Sequence, residues 1–238
     1  MPTDSRGFTL VEMTIAIALA AMVFVGIYSA YQAQVRLYVA QERVVDMMQN
    51  ARTAMYYMQR SIRMSGFDPR HVDTIGFVAN FATPYDALGA TTDENRIAFT
   101  VDDNEDGVID SNNAEMFAYR LGTDSRLQRL MIDPVTLNAD WETVAEGIDA
   151  LDFVYLDGAD PPNVLAPPLS AADLAAIRSV QVTLVARAGD SPTPLVKTRA
   201  DTNVYRNQQG SVIFNPGGGD NFLRNALSVH IFCPNLGL

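Results

Sequence analysis

The chain has 238 residues, a formal net charge of −11 at pH 7 and a single cysteine. Its length allows one globular domain with a sizeable core, and a lone cysteine excludes an intrachain disulfide. Because non-specific nucleic-acid binding needs lysine and arginine to neutralise phosphates, the acidic composition argues against that class of function.

The first predicted element is an apolar helix near the N-terminus. Residues 13–31 contain no charged side chain, and about 20 apolar residues are needed for a helix to cross the hydrocarbon core of a membrane. Glu12 stands at the start of this run, and a charge inside such a segment costs roughly 2.5–3.5 kcal/mol on insertion scales. Glu12 therefore needs a partner. The alternative interpretation is an ordinary signal anchor in which a glutamate falls at this position by chance.

The predicted helix continues well beyond the apolar run. Residues 8–65 contain no proline and one glycine, Gly26, so a single helix is expected there, ended by Gly66 and Pro69. The second part, residues 32–65, is expected to be amphipathic, because apolar residues recur at spacings of three and four. This face is predicted to pack on the protein's own sheet, and a surface for partner helices is the alternative. The face consists of Val44, Met48, Ala51, Met55, Met58 and Ile62.

The rest of the chain, residues 66–238, is predicted to be a β-rich globular head. Short runs of β-branched and aromatic residues between turn residues predict strands. Ser170 begins the S-x-x-D pattern of a capping box, which predicts a short helix to Ile177. The proline-rich residues 160–168 and the glycine-rich residues 215–221 are expected to be loops. The strands are expected at residues 96–101, 115–121, 127–132, 148–157, 180–186 and 227–233.

The sharpest chemical motif in the head is D-x-N-x-D-G-x-I-D over residues 102–110. Oxygen ligands at positions one, three and five of such a loop converge on one cation when the chain turns at the glycine, so a structural Ca²⁺ ion is expected. An EF-hand has a bidentate glutamate at position twelve, where this chain has Asn113, and Glu115 could substitute only through a different loop path. An acidic β-turn without an ion is the alternative. The candidate ligands are Asp102, Asn104, Asp106, the carbonyl of Val108, Asp110 and Asn113.

Nothing in the sequence predicts an enzyme. His71 and His230 are the only histidines, neither has a metal-ligating neighbour at helical spacing, and no nucleophile or phosphate-loop motif is found. Cys233 is expected to be a buried apolar residue near the last strand, with an intermolecular bridge or a reactive thiol as the alternative. Three aspartates around the strand at 148–157 are expected to face solvent: Asp149, Asp152 and Asp157.

The stretch G-F-T-L-V-E at residues 7–12, followed by the apolar run, resembles the N-terminus of type IV pilin and pseudopilin precursors. The resemblance implies that residues 1–7 are a leader, which a prepilin peptidase removes after Gly7 on the cytoplasmic side before methylating Phe8. It also implies that Glu12 is the assembly residue, pairing in an apolar filament core with the N-terminal amine of a neighbouring subunit. Thr9 is expected only to fill a small position in the packing.

The order of elements in the head resembles PilW-type minor pilins first and J-type minor pseudopilins of type II secretion second. The resemblance implies a pilin-like α+β fold, in which the long N-terminal helix packs on an antiparallel β-sheet head. The implied function is a minor pilin that primes or joins a type IV pilus, with a minor pseudopilin or a tip-located binding and adhesion subunit as alternatives.

The same resemblance implies a location and a set of partners. The helix is expected to cross the bacterial inner membrane once, at about residues 8–31, with the head in the periplasm before assembly at the cell surface. The expected partners are the prepilin peptidase, other minor and major pilins and the inner membrane. No specific nucleic acid is expected.

Overall fold

The computed structural model of the protein describes residues 7–71, 75–81, 85, 89–110, 115–133, 136, 138–189 and 200–237. Its first element is α1 (Leu10–Met64), a single helix of 55 residues. The helix is continuous because its sequence has no proline to remove a backbone donor. It ends at Met64, and Gly66 then adopts a φ of 74°, a left-handed conformation that glycine tolerates and that turns the chain away from the helix axis.

Only the upper half of α1, residues 39–64, packs against the rest of the protein. Of the predicted apolar face, Ala51, Met55, Met58 and Ile62 are buried, and the remaining two residues are partly buried against the same core. The prediction that this face packs on the protein's own sheet is therefore confirmed. The buried residues of α1 are Met47, Ala51, Ala54, Met55, Met58 and Ile62.

The first sheet contains four antiparallel strands in chain order. Three of them lie where strands are predicted, whereas the fourth is not predicted at all. Half of its sequence, A-D-W-E-T-V-A-E, is polar, and it lacks the run of β-branched and aromatic residues that indicates a strand. The partly buried Trp141 of this strand packs against a small apolar cluster. The strands are β1 (Arg96–Thr100), β2 (Met116–Leu121), β3 (Arg126–Ile132) and β4 (Ala139–Glu146).

The second sheet holds the longest strands of the head. They are β5 (Ile148–Leu156), β6 (Val164–Leu165), β7 (Ser179–Arg187) and β10 (Arg224–Phe232), with the order β10-β7-β5-β6. The short β6 lies inside the segment expected to be a loop. The predicted capping box of Ser170 and Asp173 opens α2 (Ala171–Ala176) between β6 and β7. A two-stranded sheet precedes β10 and consists of β8 (Tyr205–Arg206) and β9 (Val212–Phe214).

The core lies between the upper half of α1 and the two larger sheets. Its largest fully buried side chains are aromatic: Tyr119, Tyr155, Phe99 and Phe153. α1 packs mainly on β4, β7 and β10, and every strand pair among the named strands is antiparallel. The α+β fold with a long N-terminal helix on an antiparallel β-sheet head is therefore confirmed.

Candidate functional site

The start of α1 is closed by a capping box between Thr9 and Glu12. The hydroxyl of Thr9 accepts a hydrogen bond from the backbone N–H of Glu12 at 3.2 Å. In return, Oε2 of Glu12 accepts from the backbone N–H of Thr9 at 2.8 Å and from its hydroxyl at 2.9 Å. Two backbone donors that the first turn leaves without helical partners are thereby satisfied.

This geometry corrects the expectation that Thr9 only fills space. Thr9 is the N-cap of α1 and holds one oxygen of the Glu12 carboxylate. The T-x-x-E spacing is itself the sequence signature of a capping box, so this role was readable from the sequence. The negative charge of Glu12 also lies in the first turn, where it interacts favourably with the helix dipole.

The residues just before the helix are accessible. Gly7 and Phe8 lie outside the helix, and the Phe8 side chain is 84% exposed. An exposed, non-helical segment of this kind is a suitable substrate for a peptidase, because the backbone around the cleaved bond is free of helical hydrogen bonds. Gly7, Phe8 and Glu12 thus lie together at one end of the protein.

The lower half of α1, residues 10–38, is apolar and exposed along its length. Its apolar stretch is long enough to cross a membrane, and none of that stretch is buried against the rest of the chain. Glu12 and Arg36 are its only charged residues. An apolar helix with no face buried in its own domain needs another apolar environment, which is either lipid or neighbouring helices.

The acidic loop at residues 102–110 lies at the far end of α1, since the backbone N–H of Asp102 donates to the carbonyl of Phe67. The two oxygens of Asp102 accept from the backbone N–H groups of Asp106 and Gly107, at 3.1 and 2.9 Å. The buried Glu115 accepts from Asn104 and from Asp110 at 3.3 and 2.7 Å. Asp102 and Glu115 therefore fold the loop by binding its own backbone.

The candidate calcium ligands are only partly brought together. Asn104 and Asp106 contact each other through side-chain and backbone hydrogen bonds, whereas Asn113 lies outside the described residues. Within those described residues, no three His, Cys, Asp or Glu side chains are grouped so that they could hold a metal ion. Calcium binding by this loop stays a prediction.

A buried ion cluster joins the second sheet to the segment that precedes β10. Nε of Arg224 contacts Asp149 at 2.6 Å, and its Nη atoms contact Asp220 at 2.6 Å and Asp201 at 3.2 Å. Arg187 contacts the other oxygen of Asp149 at 3.1 Å. The hydrogen bonds from Arg224 lower the pKa of Asp220 below its ordinary value. The cluster has a structural role, because the side chains of Arg224 and Asp149 are almost fully buried.

The cluster corrects the expectation that the aspartates around β5 face solvent. The Asp149 side chain is only 5% exposed. Asp152 is half-buried and accepts a hydrogen bond from Asn207, and burial raises the pKa of its carboxyl. Asp157 is partly exposed and binds the backbone and side chain of Asn163. The partners of Asp149 and Asp152 come from segments far along the chain, so neighbouring residues give no signal of them.

Cys233 is fully buried against the top of α1, as predicted. Its thiol donates to the carbonyl of Ile62 at 3.7 Å. Burial raises the pKa of this thiol to about 11. A thiol in this state is a poor nucleophile at neutral pH, which argues against the alternative of a reactive or intermolecularly bridged cysteine.

Comparisons with known proteins match two family descriptions. "Prokaryotic N-terminal methylation motif" matches residues 3–28, and "Prepilin peptidase-dependent protein B" matches residues 40–206, which is more than half of the chain. The chain is also similar to the solved structure of a type IV-like pilin from Thermus thermophilus. That similarity has 13% identity over 80% of this chain and 98% of the other, with a TM-score of 0.45. The comparison with curated proteins gives no match.

Proposed function

Because the chain belongs to the prepilin peptidase-dependent protein B family, we propose that it is a minor pilin, a structural subunit that primes or joins a type IV pilus. The peptidase cleaves after Gly7 and the new N-terminus at Phe8 is methylated. Both steps are supported by the methylation motif over residues 3–28 and by the accessible backbone before α1.

The observation that carries this proposal is the exposed lower half of α1. Before assembly it anchors the subunit in the inner membrane, with the head on the periplasmic side. During assembly the same apolar surface moves from lipid to the helices of neighbouring subunits. Both environments are apolar, so the transfer does not require this half of the helix to become solvated.

Glu12 is proposed to guide this transfer by pairing with the N-terminal amine of a neighbouring subunit. Thr9 occupies only Oε2 of the carboxylate. Among the described residues, Oε1 accepts no hydrogen bond, so one oxygen remains available to an incoming ammonium group. Opposite charges in an apolar filament core stabilise each other because neither is solvated there.

The test separates the charge of Glu12 from its capping role. Glu12→Gln retains a side-chain oxygen for Thr9 but removes the charge. We expect a loss of incorporation into sheared filaments, measured by immunoblot, because an unpaired buried charge costs about 3–5 kcal/mol. Glu42→Gln, an exposed glutamate higher on the same helix, is the matched control. Normal incorporation of Glu12→Gln would overturn the role of the charge.

A minor pseudopilin of type II secretion and a tip-located binding or adhesion subunit are the alternatives, because the same polymerisation physics serves all three. The proteins that co-purify with the full chain from its native host separate these roles. Major pilins support the pilus, whereas secretion pseudopilins support the second role.

Calcium at residues 102–110 is a further part of the proposal, with a structural role. It is supported by the spacing of the oxygen-bearing side chains and by the left-handed turn at Gly107, whose φ is 79°. Calorimetric titration of the purified protein with Ca²⁺ is the test, with Asp110→Asn as a weakened variant. Absence of binding heat in the unaltered protein would overturn it.

A further inference from the structure

A groove runs beside the last two turns of α1, between the helix and the first sheet. It encloses about 760 Å³ and lies at the opposite end of α1 from Glu12. Helix residues form one wall, and residues of β2 and β3 form the floor and the other wall. The residues that matter for its chemistry are Tyr57, Ser61 and Met64 on the helix and Phe117, Tyr119 and Arg129 on the strands.

The floor of the groove is held in place by the core. The hydroxyl of Tyr119 accepts a hydrogen bond from Ser61 at 2.9 Å and donates to the carbonyl of Tyr57 at 3.4 Å. The ring of Phe117 stacks on the buried Phe99, with 5.4 Å between the ring centroids. A ligand therefore meets a preformed surface, and binding does not have to order it first.

Aromatic rings and arginines line the mouth. Tyr56 is 61% exposed and Tyr57 is 44% exposed, and the guanidinium of Arg129 lies 6.0 Å from the Tyr57 ring centroid. In the described part of the chain, the guanidinium groups of Arg60 and Arg63 have no hydrogen-bond or ion-pair partner. Tyrosine, arginine and methionine are the residue types enriched where proteins bind other proteins.

The charge of the groove contrasts with that of the head. Three arginines line it against one aspartate, Asp103, and one of the three, Arg129, is already paired with Glu142 at 3.2 Å. Residues 66–238, by contrast, carry 24 of the 28 acidic residues and only 11 of the 17 basic ones. The cationic site is thus local, in a protein whose head is acidic overall. A small cationic site favours a short anionic ligand over a long one, because a long polyanion would also be repelled by the net negative charge of the head.

We propose that this groove binds an anionic peptide segment of a partner protein. Carboxylates of the segment pair with Arg60 and Arg63, and an adjacent apolar side chain contacts the aromatic floor. A nucleic acid is disfavoured because its affinity depends on neutralising many phosphates. The groove has only three arginines, and Arg129 is already paired with Glu142. The inference goes beyond the filament role, since peptide binding is a property of the single chain and needs neither Glu12 nor assembly.

The test measures binding to the full chain in nanodiscs of zwitterionic lipid, with empty nanodiscs as the blank. The probe is a short fluorescein-labelled peptide that alternates glutamate and phenylalanine, and its matched control has glutamine in place of glutamate. We expect the acidic peptide to bind in a salt-sensitive manner. The double variant Arg60→Ala/Arg63→Ala should weaken binding by about tenfold or more, a loss typical of charge-assisted contacts.

The control variant is Arg52→Ala, since Arg52 is an exposed arginine of the same helix that does not line the groove. Its affinity should equal that of the unaltered protein. Equal binding of the two peptides, or no loss in the double variant, would overturn the proposal. So would tighter binding of a thymidine oligonucleotide than of the acidic peptide, or no binding of the acidic peptide. Unchanged unfolding, followed by the fluorescence of Trp141, shows that the double variant is folded.

Discussion

The two halves of α1 belong to one uninterrupted helix but meet opposite surroundings. The lower half, residues 10–38, has exposed apolar side chains on every side, and two charged residues. The upper half, residues 39–64, has six charged residues, and one of its faces is buried in the core of the head. The helix therefore joins a segment that requires an external apolar environment to a segment that completes its own domain.

The difference shows that helix formation and helix burial are specified separately. Residues that favour helix fill both halves, so the backbone is the same throughout. What changes is the distribution of apolar side chains, which surround the lower half and occupy one face of the upper half. A substitution should therefore have different consequences in the two halves even when the residue type is the same.

The largest expected effect comes from truncating a methionine in the upper half. Met58 is fully buried, so Met58→Ala should lower the free energy of unfolding of the head by about 2–5 kcal/mol. Met22 in the lower half is 74% exposed, and Met22→Ala should change that free energy by less than about 0.5 kcal/mol. Denaturant unfolding followed by Trp141, the only tryptophan, measures both. Equal effects would contradict the division of the helix.

Replacing an exposed valine by arginine should have the opposite pattern, with a large effect on membrane insertion in the lower half and none in the upper half. Val23→Arg in the lower half should reduce membrane insertion, because an arginine within a membrane helix costs about 2.5–3.5 kcal/mol on insertion scales. Val45→Arg, at an exposed position of the upper half, should leave insertion unchanged. The fraction of chain that resists alkaline extraction from membranes is the measurement. Full retention of Val23→Arg would contradict the expected cost of placing a charge in the membrane-spanning part of the helix.

Sequence was sufficient for features whose residues are close together in the chain. Ala51, Met55 and Met58 are three or four positions apart, so periodicity alone identifies their face. The N-terminal methylation motif over residues 3–28 is likewise contiguous, whereas the roles of Gly7 and Glu12 within it stay predictions. The capping role of Thr9 is equally local, since the T-x-x-E spacing indicates it, but Thr9 was expected only to fill a small position in the packing.

Features that unite distant residues could not be predicted in this way. Asp149 lies 75 positions from Arg224, and an aspartate in a strand ordinarily faces water. The free-energy cost of burying Asp149 is offset only when the fold brings Arg187 and Arg224 beside it. The groove beside α1 has the same origin, because Arg60 and Arg129 meet only after helix and sheet have packed.

The thiol of Cys233 provides a pH-dependent test of the contact between the upper half and the head. An unfolded cysteine ionises near pH 8.5, whereas burial raises the pKa of Cys233 to about 11. The contribution of the protonated thiol to stability is therefore complete below about pH 8.5 and is lost as the pH rises towards 11. The loss should approach about 3 kcal/mol.

Subtracting the unfolding profile of Cys233→Ala isolates this contribution from those of the tyrosines and of the single lysine of the chain. Maleimide labelling of the folded protein at pH 8 should also be slow and should accelerate in denaturant. Rapid labelling without denaturant would mean that the end of the chain opens away from Ile62, and the contact between α1 and the last strand would not hold.

The smallest expected effects come from the two capping boxes, one at the start of α1 and one at the start of α2. Thr9 and Ser170 make the same set of hydrogen bonds with the acidic residue three positions later, and loss of such a cap costs about 0.5–2 kcal/mol. Ser170→Ala should lower the free energy of unfolding of the head by about that amount, since α2 packs on the core through Leu174. Thr9→Ala should leave it unchanged, because fraying of the exposed first turn of α1 breaks no contact with the head. Denaturant unfolding measures both, and a loss of head stability in Thr9→Ala would show that the lower half is coupled to the domain it projects from.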